Sequence, residues 1–138
     1  MKVDLGEWQQ LRQWAEPLRF AVFVEEQKVP AEIELDEFDS QSVHAIAFDD
    51  AGEAIGTARL LPDGHIGRMA VARAARNTGV GTELLKVLMD EARRRGHTQA
   101  MVCAQTHARG FYEKYGYCAE GGEYDEAGIP HVDMRCTL

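Results

Sequence analysis

The sequence has few cysteines and no long apolar run, and each shortage excludes a class of protein. Its three cysteines, Cys103, Cys118 and Cys136, are widely spaced and form no CxxC pair. A structural zinc site or a disulfide framework is therefore not expected. No apolar stretch approaches the roughly 18 residues of a membrane span, and Met1–Gly6 lacks a signal-peptide core. We expect a cytoplasmic protein without metal or membrane partners, whose cysteines are small buried hydrophobic side chains.

Positive charge is also in short supply. The chain has 15 Lys and Arg residues against 23 Asp and Glu residues, which gives a formal net charge of −8. A protein without a basic surface does not neutralise phosphates, so no nucleic-acid partner is expected. The acidic residues concentrate in residues 25–39, where Lys28 is the single basic residue. This segment is either a solvated loop or a surface that attracts a cationic acceptor such as an amine.

Length and hydrophobic periodicity predict one mixed α/β domain over residues 1–138. Apolar residues at three- and four-residue steps predict a helix over Trp8–Val24, which Pro17 would split in two. Residues 28–41 have no regular pattern. The other predicted elements are strands at Met1–Leu5, Val43–Phe48, Ala54–Leu61, His65–Ala72 and Gln99–Gln105, a long helix from Val80 to Gly96, a short helix at His107–Tyr115, and closing strands at Tyr117–Tyr124 and Ile129–Thr137.

The loop before the long helix has the composition of an anion site. It carries Arg76, and Gly79 and Gly81 lie where the helix begins. Glycine lets a ligand approach the backbone, and the first N–H groups of a helix have no internal partner. No lysine precedes Thr82, so this is not a Walker A loop. The spacing alone is equally compatible with a strand-to-helix turn that binds nothing.

Two motifs together resemble the GNAT superfamily of N-acetyltransferases. Residues 76–81 are similar to its R-x-x-G-x-G/A signature, and residues 108–117 (A-R-G-F-Y-E-K-Y-G-Y) are similar to the A-x-x-F-Y-E-K-x-G-F block that closes the CoA site. Residues 19–27, 34–39, 67–71, 104–105 and 128–131 resemble the ElaA-like branch. The resemblance implies the GNAT acyl-CoA N-acyltransferase fold, in which helices flank a central, mostly antiparallel twisted sheet.

The resemblance also implies a co-substrate and an acceptor. The co-substrate would be acetyl-CoA, with no metal, and the acceptor a primary amine on a small molecule or a protein; a homodimer formed through C-terminal strands is implied as well. The chain departs from the common pattern at Arg73, Asn77 and Gln105, where Pro, Gly and Asn are usual. The residues implied to bind the cofactor are Met69, Ala70, Val71, Arg76, Asn77, Thr78, Gly79, Val80, Gly81, Thr82, Gln105, Ala108, Phe111 and Tyr112.

Acetyl transfer to an amine needs a proton acceptor for the amine and a proton donor for the departing thiolate. By resemblance, Tyr112 is the donor, although it could simply pack beside Phe111. Direct transfer in a ternary complex is the expected route. The candidates for the base are His131 and Glu26, followed by His44 and His65; Glu26 could instead pair with Arg19 or anchor a cationic acceptor.

Other interpretations stay open at this point. Gly67 occupies the position where some relatives carry a glutamate base, which leaves a CoA-binding module with little or no turnover as the alternative function. Arg68 interrupts an apolar strand and would orient an acidic side chain, contact an anionic acceptor or form an ion pair at the sheet edge. No motif marks any of the cysteines as a covalent acetyl carrier, although Cys103, beside the predicted cofactor strand, stays open for that role. Residues 19–23 also resemble acyl-homoserine-lactone synthases, a family with longer chains and a different second substrate.

Overall fold

Four N-terminal strands form an antiparallel sheet. In the computed structural model, which describes residues 1–138, they are β1 (Lys2–Gly6), β2 (Val43–Phe48), β3 (Ala54–Leu60) and β4 (Ile66–Val71). Their spatial order is β1-β2-β3-β4. Most of β2 and the second half of β3 are buried. Apolar residues in succession on these strands are therefore covered on both faces of the sheet.

Three later strands form a second antiparallel sheet in the order β5-β7-β6. They are β5 (Gln99–Gln105), β6 (Cys118–Glu126) and β7 (Ile129–Thr137). The two sheets are joined by one bridge, between His65 and Met101, where the Met101 N–H also donates to the Gly64 carbonyl at 3.1 Å. Past this bridge β4 pairs only with β3 and β5 only with β7, so a cleft opens between β4 and β5.

The helices cover the sheets and set the position of the cleft. They are α1 (Trp8–Arg19), a π-helix (Phe20–Glu26), α2 (Ala31–Glu34), α3 (Val80–Arg94) and α4 (Arg109–Lys114). Helix α3 packs closely on the first sheet because Gly56 lies beneath it: a Cβ atom there would lie 2.7 Å from Val80 and 3.0 Å from Leu84. None of the helices combines the length and the apolar composition needed to cross a membrane.

The break predicted at Pro17 does not occur. Helix α1 runs through Pro17 and continues into the π-helix, and the Phe20 N–H donates to the carbonyls of Glu16 and Pro17. Proline in a helix costs about 3 kcal/mol, which tertiary packing can offset. Leu18 and Arg19, which follow the proline, are both buried. Their burial fixes the chain in the helical path that the local sequence disfavours.

The cysteine prediction is wrong for two of the three residues. Cys136 is buried, but Cys103 and Cys118 are exposed, and all three are free thiols. Side chains alternate between the two faces of a strand. On β5 the buried residues are Ala100, Val102 and Ala104, which leaves Cys103 on the opposite face. That face borders the cleft.

Candidate active site

A cavity of about 810 Å³ lies where β4 and β5 diverge. The predicted site residues that line it are Glu26, Met69, Val71, Arg76, Gly81, Gln105, Ala108, Phe111, Tyr112 and His131. Ala70 and Val80 are buried in the core instead. The remaining predicted residues, Asn77, Thr78, Gly79 and Thr82, belong to the loop and the first turn of α3. The fold therefore collects two distant motifs around one cavity.

Helix α3 begins without a side-chain cap. Its N-cap residue is Gly79, which has a φ of 92° and makes no side-chain hydrogen bond to the first turn. Asn77 also has a positive φ, 62°. These left-handed residues turn the chain sharply into the helix. The amides of the first turn consequently face outward as donors for an anion.

The side chain of Arg76 does not extend freely toward this helix terminus. Its Nε donates to the Val71 carbonyl at 3.0 Å, and its two amino groups donate to Glu26 at 2.9 and 2.8 Å. Arg73 adds a longer contact to Glu26 at 3.5 Å. Hydrogen bonding from Arg76 is the main reason that the pKa of Glu26 is lowered. Glu26 pairs with this loop, so the predicted pairing with Arg19 is wrong.

Strand β4 contains a bulge at the cavity wall. Arg68 and Met69 together stand opposite Ala58, because the register shifts between Thr57 and Arg59 on β3. Arg68 has a φ of 49°, which is uncommon for a residue other than glycine and costs about 1–3 kcal/mol. A bulge redirects backbone groups out of the ladder, here toward the cavity.

Ion pairs hold Arg68 in this conformation. Its Nε lies 3.3 Å from both the carbonyl and the carboxylate of Glu34, and one amino group lies 3.3 Å from the Asp36 carboxylate. Arg68 therefore orients carboxylates of the acidic segment, one of the roles that the sequence left open. The strain at the bulge is balanced by these contacts.

The acidic segment is neither wholly solvated nor a free anionic surface. Glu34 and Asp39 are each 2% exposed. Arg19, itself 1% exposed, donates to Glu34 at 2.9 Å and to Asp39 at 2.7 Å. Arg59 donates to Asp36 and Asp39 at 2.7 and 2.8 Å. The sequence suggested only Arg68 as a partner of these carboxylates, because Arg19 and Arg59 lie on distant elements, α1 and β3.

The chain that forms this uncapped helix terminus, bulged strand and cleft matches the family model described as an acetyltransferase (GNAT) domain over residues 11–138. The chain belongs to the GNAT family. Within it, the uncharacterized N-acetyltransferase YjcF of Bacillus subtilis is 38% identical over 121 residues, which are 85% of this chain and 86% of YjcF.

Two further relatives place this GNAT domain in the ElaA-like branch and confirm its fold. ElaA of Escherichia coli is 30% identical over 125 residues, 85% of this chain and 81% of ElaA. The superposition of this chain on the crystal structure of ElaA covers 99% of each chain and has a TM-score of 0.88. An acyl-CoA N-acyltransferase from Pseudomonas aeruginosa is 31% identical, covers 99% of this chain and 100% of its own, and has a TM-score of 0.87.

Tyr112 of the GNAT domain lies on α4 with its ring buried and its side chain at the cavity wall. Burial alone raises its pKa to about 12, and no charged or hydrogen-bonding group contributes to the shift. Phe111 packs edge-on against it with ring centroids 5.1 Å apart. The phenol therefore keeps its proton through neutral pH. Tyr112 therefore both packs beside Phe111 and lines the cavity.

Two of the candidate bases, His44 and His131, lie in different places. His44 is 1% exposed and does not line the cavity. Its Nε2 lies 2.8 Å from the Asp39 carbonyl. His131 lines the cavity, and its Nδ1 lies 2.7 Å from the Ile129 carbonyl. A carbonyl only accepts, so Nδ1 of His131 carries the proton. The other ring nitrogen, Nε2, lies 3.7 Å from the Glu126 carboxylate, which also lines the cavity.

A third histidine belongs to a cluster that the sequence motifs did not reveal. His65 receives its orientation from Asp63, whose carboxylate lies 2.8 Å from Nδ1. The pKa of His65 is raised to about 9, first by interaction with the Cys103 side chain and also by Asp63. All three side chains line the cavity. The one local signal was the turn at Pro62-Asp63-Gly64, which places an aspartate two residues before a histidine.

Gln105, one of the predicted cofactor-binding residues, forms a side-chain hydrogen bond to a distant segment. Its amide group donates to the Gln27 side chain at 2.7 Å, which connects the end of β5 to the residue that follows the π-helix. Thr82, in the first turn of α3, forms a 2.7 Å hydrogen bond with the Tyr115 hydroxyl. These two contacts connect β5 to the end of the π-helix and α3 to the end of α4.

Proposed function

We propose that this protein is an N-acetyltransferase that moves the acetyl group of acetyl-CoA directly to a primary amine in a ternary complex. The observation that best supports the proposal is the cleft between β4 and β5, which has the uncapped terminus of α3 at its end. A phosphorylated cofactor with a long arm needs an anion site and a groove that holds the arm. The terminus of α3 offers the first and the cleft between β4 and β5 the second.

The residues present suit CoA. The pyrophosphate would bind the amides of Asn77–Thr82, where the helix dipole is positive. The arm would follow β4 along Met69–Val71. Gly81 lies between Met69 and Phe111 at the cavity wall: a Cβ there would be in ordinary van der Waals contact with the Met69 sulfur at 3.6 Å and with the Phe111 ring at 3.7 Å. The remaining wall would consist of Gln105, Ala108, Phe111 and Tyr112. Bound acetyl-CoA supplies the activated acetyl thioester.

The protein groups then divide the chemistry among them. Amides of the Arg68–Met69 bulge would donate to the carbonyl oxygen as it gains negative charge. The neutral Tyr112 phenol would donate to the leaving sulfur. His131 would accept the proton of the attacking amine through Nε2. Glu26 is the weaker candidate for this step, because its lowered pKa makes it a poorer base.

A CoA-binding module with little turnover is the second candidate. The observation that favours it is Gly67, which lines the cavity wall without offering a carboxylate. The two candidates differ in one measurement: an enzyme releases CoA continuously when an amine acceptor is present, whereas a binding module does not.

The dimer implied by the resemblance remains a prediction. Strand β6 is exposed from Glu120 to Glu126 and forms an edge of its sheet. Its carboxylates are Glu120, Glu123, Asp125 and Glu126. Like charges on an edge strand disfavour its pairing with a second copy. If a dimer forms, this edge is an unfavourable place for it at neutral pH.

Calorimetry with Gly81→Asp tests the cofactor site. Residue 81 is at the second position of α3, where an acidic side chain stabilises a helix but repels a pyrophosphate. We expect acetyl-CoA binding to weaken about 100-fold or more with no loss of thermal stability. The matched control is Gln9→Asp, an exposed residue at the same position of α1. Equal binding by Gly81→Asp and wild type would overturn the site; a binding-competent protein is then screened with amines for CoA release.

A further inference from the structure

Cys103 lies close to the point where the two sheets separate. It is two residues beyond Met101, which forms the bridge to His65. The alternation of β5 places Met101, Cys103 and Gln105 on one face, and Cys103 is the exposed member of the three. Its thiol therefore opens into the cavity near the apex of the cleft.

The groups around this thiol are those of a nucleophile and its base. His65, Asp63 and Cys103 all line the cavity, and Asp63 lies 2.8 Å from Nδ1 of the His65 ring. The bridge from His65 to Met101 brings the His65 side chain to the strand that carries Cys103 two residues further on, and interaction with Cys103 raises the pKa of His65. A nucleophile, a base and a third group that orients the base form the arrangement that activates cysteine and serine side chains. A protonated imidazole beside a thiol favours the reactive thiolate.

The remaining neighbours of Cys103 do not replace His65 as its counter-ion. Asp133 stands opposite Cys103 on β7, and its carboxylate accepts a 2.6 Å hydrogen bond from the Tyr124 hydroxyl. Tyr124 also interacts with Cys103. Neither neighbour is cationic, so the imidazolium of His65 supplies the positive charge beside the thiol.

We propose that Cys103 takes the acyl group of acyl-CoA when no amine occupies the cavity, with His65 as its base and Asp63 as the residue that orients His65. The thiolate attacks the thioester carbonyl, a bond forms between the Cys103 sulfur and the acyl carbon, and the bond from that carbon to the CoA sulfur breaks. The proton taken from Cys103 by His65 passes to the departing CoA thiolate. One thioester replaces another, so the reaction needs no further reactant and excess CoA reverses it.

The position of the acyl group rests on the proposed function. If the CoA arm follows β4 from Val71 to the Arg68–Met69 bulge, the strand rise of about 3.3 Å per residue leaves the thioester about 3 to 7 Å from the level of Gly67. Gly67 and Cys103 line the same cavity from its two sides. The activity itself goes beyond amine acetylation, because it requires acyl-CoA alone.

The test is incubation with acetyl-CoA in the absence of amines, followed by peptide mass spectrometry. We expect the mass of one acetyl group on Cys103, removed by neutral hydroxylamine and by excess CoA, as a thioester requires. Cys103→Ala abolishes this label. Cys118→Ala, which removes the other exposed thiol, does not. His65→Gln and Asp63→Asn both slow labelling, the former by about 100-fold.

Four results would overturn the proposal. Equal labelling of Cys118 and Cys103 would indicate ordinary thiol reactivity, and hydroxylamine-stable label on lysines alone would indicate amine acetylation. An unlabelled Cys103 in a protein that binds acetyl-CoA by calorimetry would refute the proposed acylation while leaving the proposed function intact. Failure to bind acetyl-CoA would refute both.

Discussion

The guanidinium of Arg76 donates two hydrogen bonds to the two carboxylate oxygens of Glu26, at 2.9 and 2.8 Å. This pair connects the end of the π-helix to the loop before α3, which are separated by 50 residues in the chain. A bidentate pair of this kind fixes orientation as well as distance. Arg76 also holds the Val71 carbonyl, so one side chain positions the loop relative to β4.

Replacing Glu26 with Gln should tighten acetyl-CoA binding about threefold to tenfold, because Arg76 loses its anionic partner and can pair with a phosphate. The turnover number should change less than threefold. A base at Glu26 would instead predict a fall of about 100-fold in turnover. Calorimetry and steady-state CoA release separate these results. Glu25→Gln, at the exposed neighbouring residue, controls for the loss of one negative charge.

Replacing Tyr112 with Phe should lower the turnover number about 100-fold and leave the KM for acetyl-CoA within threefold. The ring keeps its packing against Phe111, and only the proton donor is lost. Tyr117→Phe is the control, because the Tyr117 hydroxyl is buried without a hydrogen-bond partner. That change should stabilise the fold by about 1 kcal/mol and leave turnover unchanged. Unchanged turnover in Tyr112→Phe would exclude the phenol as donor.

Two substitutions of Arg68 separate backbone conformation from ion pairing. Gly accepts the φ of 49° without strain, whereas Ala does not, so Arg68→Gly should be about 1 kcal/mol more stable than Arg68→Ala. Both lose the contacts to Glu34 and Asp36. If the bulge positions the thioester carbonyl, Arg68→Gly should retain more turnover than Arg68→Ala. Urea unfolding and CoA release measure the two effects; equal turnover in both variants would argue against a role for the bulge.

The free energy of unfolding should fall steeply below about pH 4. Burial acts to raise the pKa of Asp39, but hydrogen bonding and charge from Arg19 outweigh it and leave the pKa lowered; Asp36 is lowered similarly by Arg59. Groups with a lowered pKa stabilise the fold above their unfolded pKa and lose this contribution as pH falls. Burial raises the pKa of Glu34, so its contribution to the free energy of unfolding has the opposite pH dependence. That contribution is present at low pH and is lost as the pH rises through the pKa of the folded state.

Asp39→Asn tests this explanation. Leaving Arg19 buried beside a neutral side chain should cost about 3 kcal/mol at pH 7, and the loss of stability below pH 4 should become shallower. Asp50→Asn is the control, since the Asp50 side chain is 98% exposed. Urea unfolding from pH 3 to pH 7 measures the dependence. A slope in Asp39→Asn equal to that of wild type would assign the acid sensitivity to other groups.

The features that the sequence predicted are those encoded by neighbouring residues. The start of α3 at Val80 follows from Gly79 and Gly81, and the β4 and β5 strands follow from short apolar runs. Residues of both family motifs line the cavity that these elements form. Each signal spans about ten residues, so one sequence suffices to detect it.

The features that it missed depend on contacts between distant segments. The cluster of Asp63, His65 and Cys103 exists because the bridge at Met101 brings β5 beside the turn before β4. The sequence offered Arg68 as a partner for the acidic segment, but it did not indicate the pairs that Arg19 and Arg59 form with Glu34, Asp36 and Asp39. No local pattern records such pairings, and Pro17 shows the converse, where packing overrides a clear local signal.

The single bridge between His65 and Met101 has a mechanical consequence. All other ladder pairs lie within one sheet or the other, so backbone pairing joins the two ladders at this bridge alone. Elsewhere the sheets are connected by the shared hydrophobic core, which includes Ala58 of the first sheet and Val102 of the second. A ligand that contacts both β4 and β5 would add a connection at the open end of the cleft, and we expect it to reduce the relative motion of the two strands.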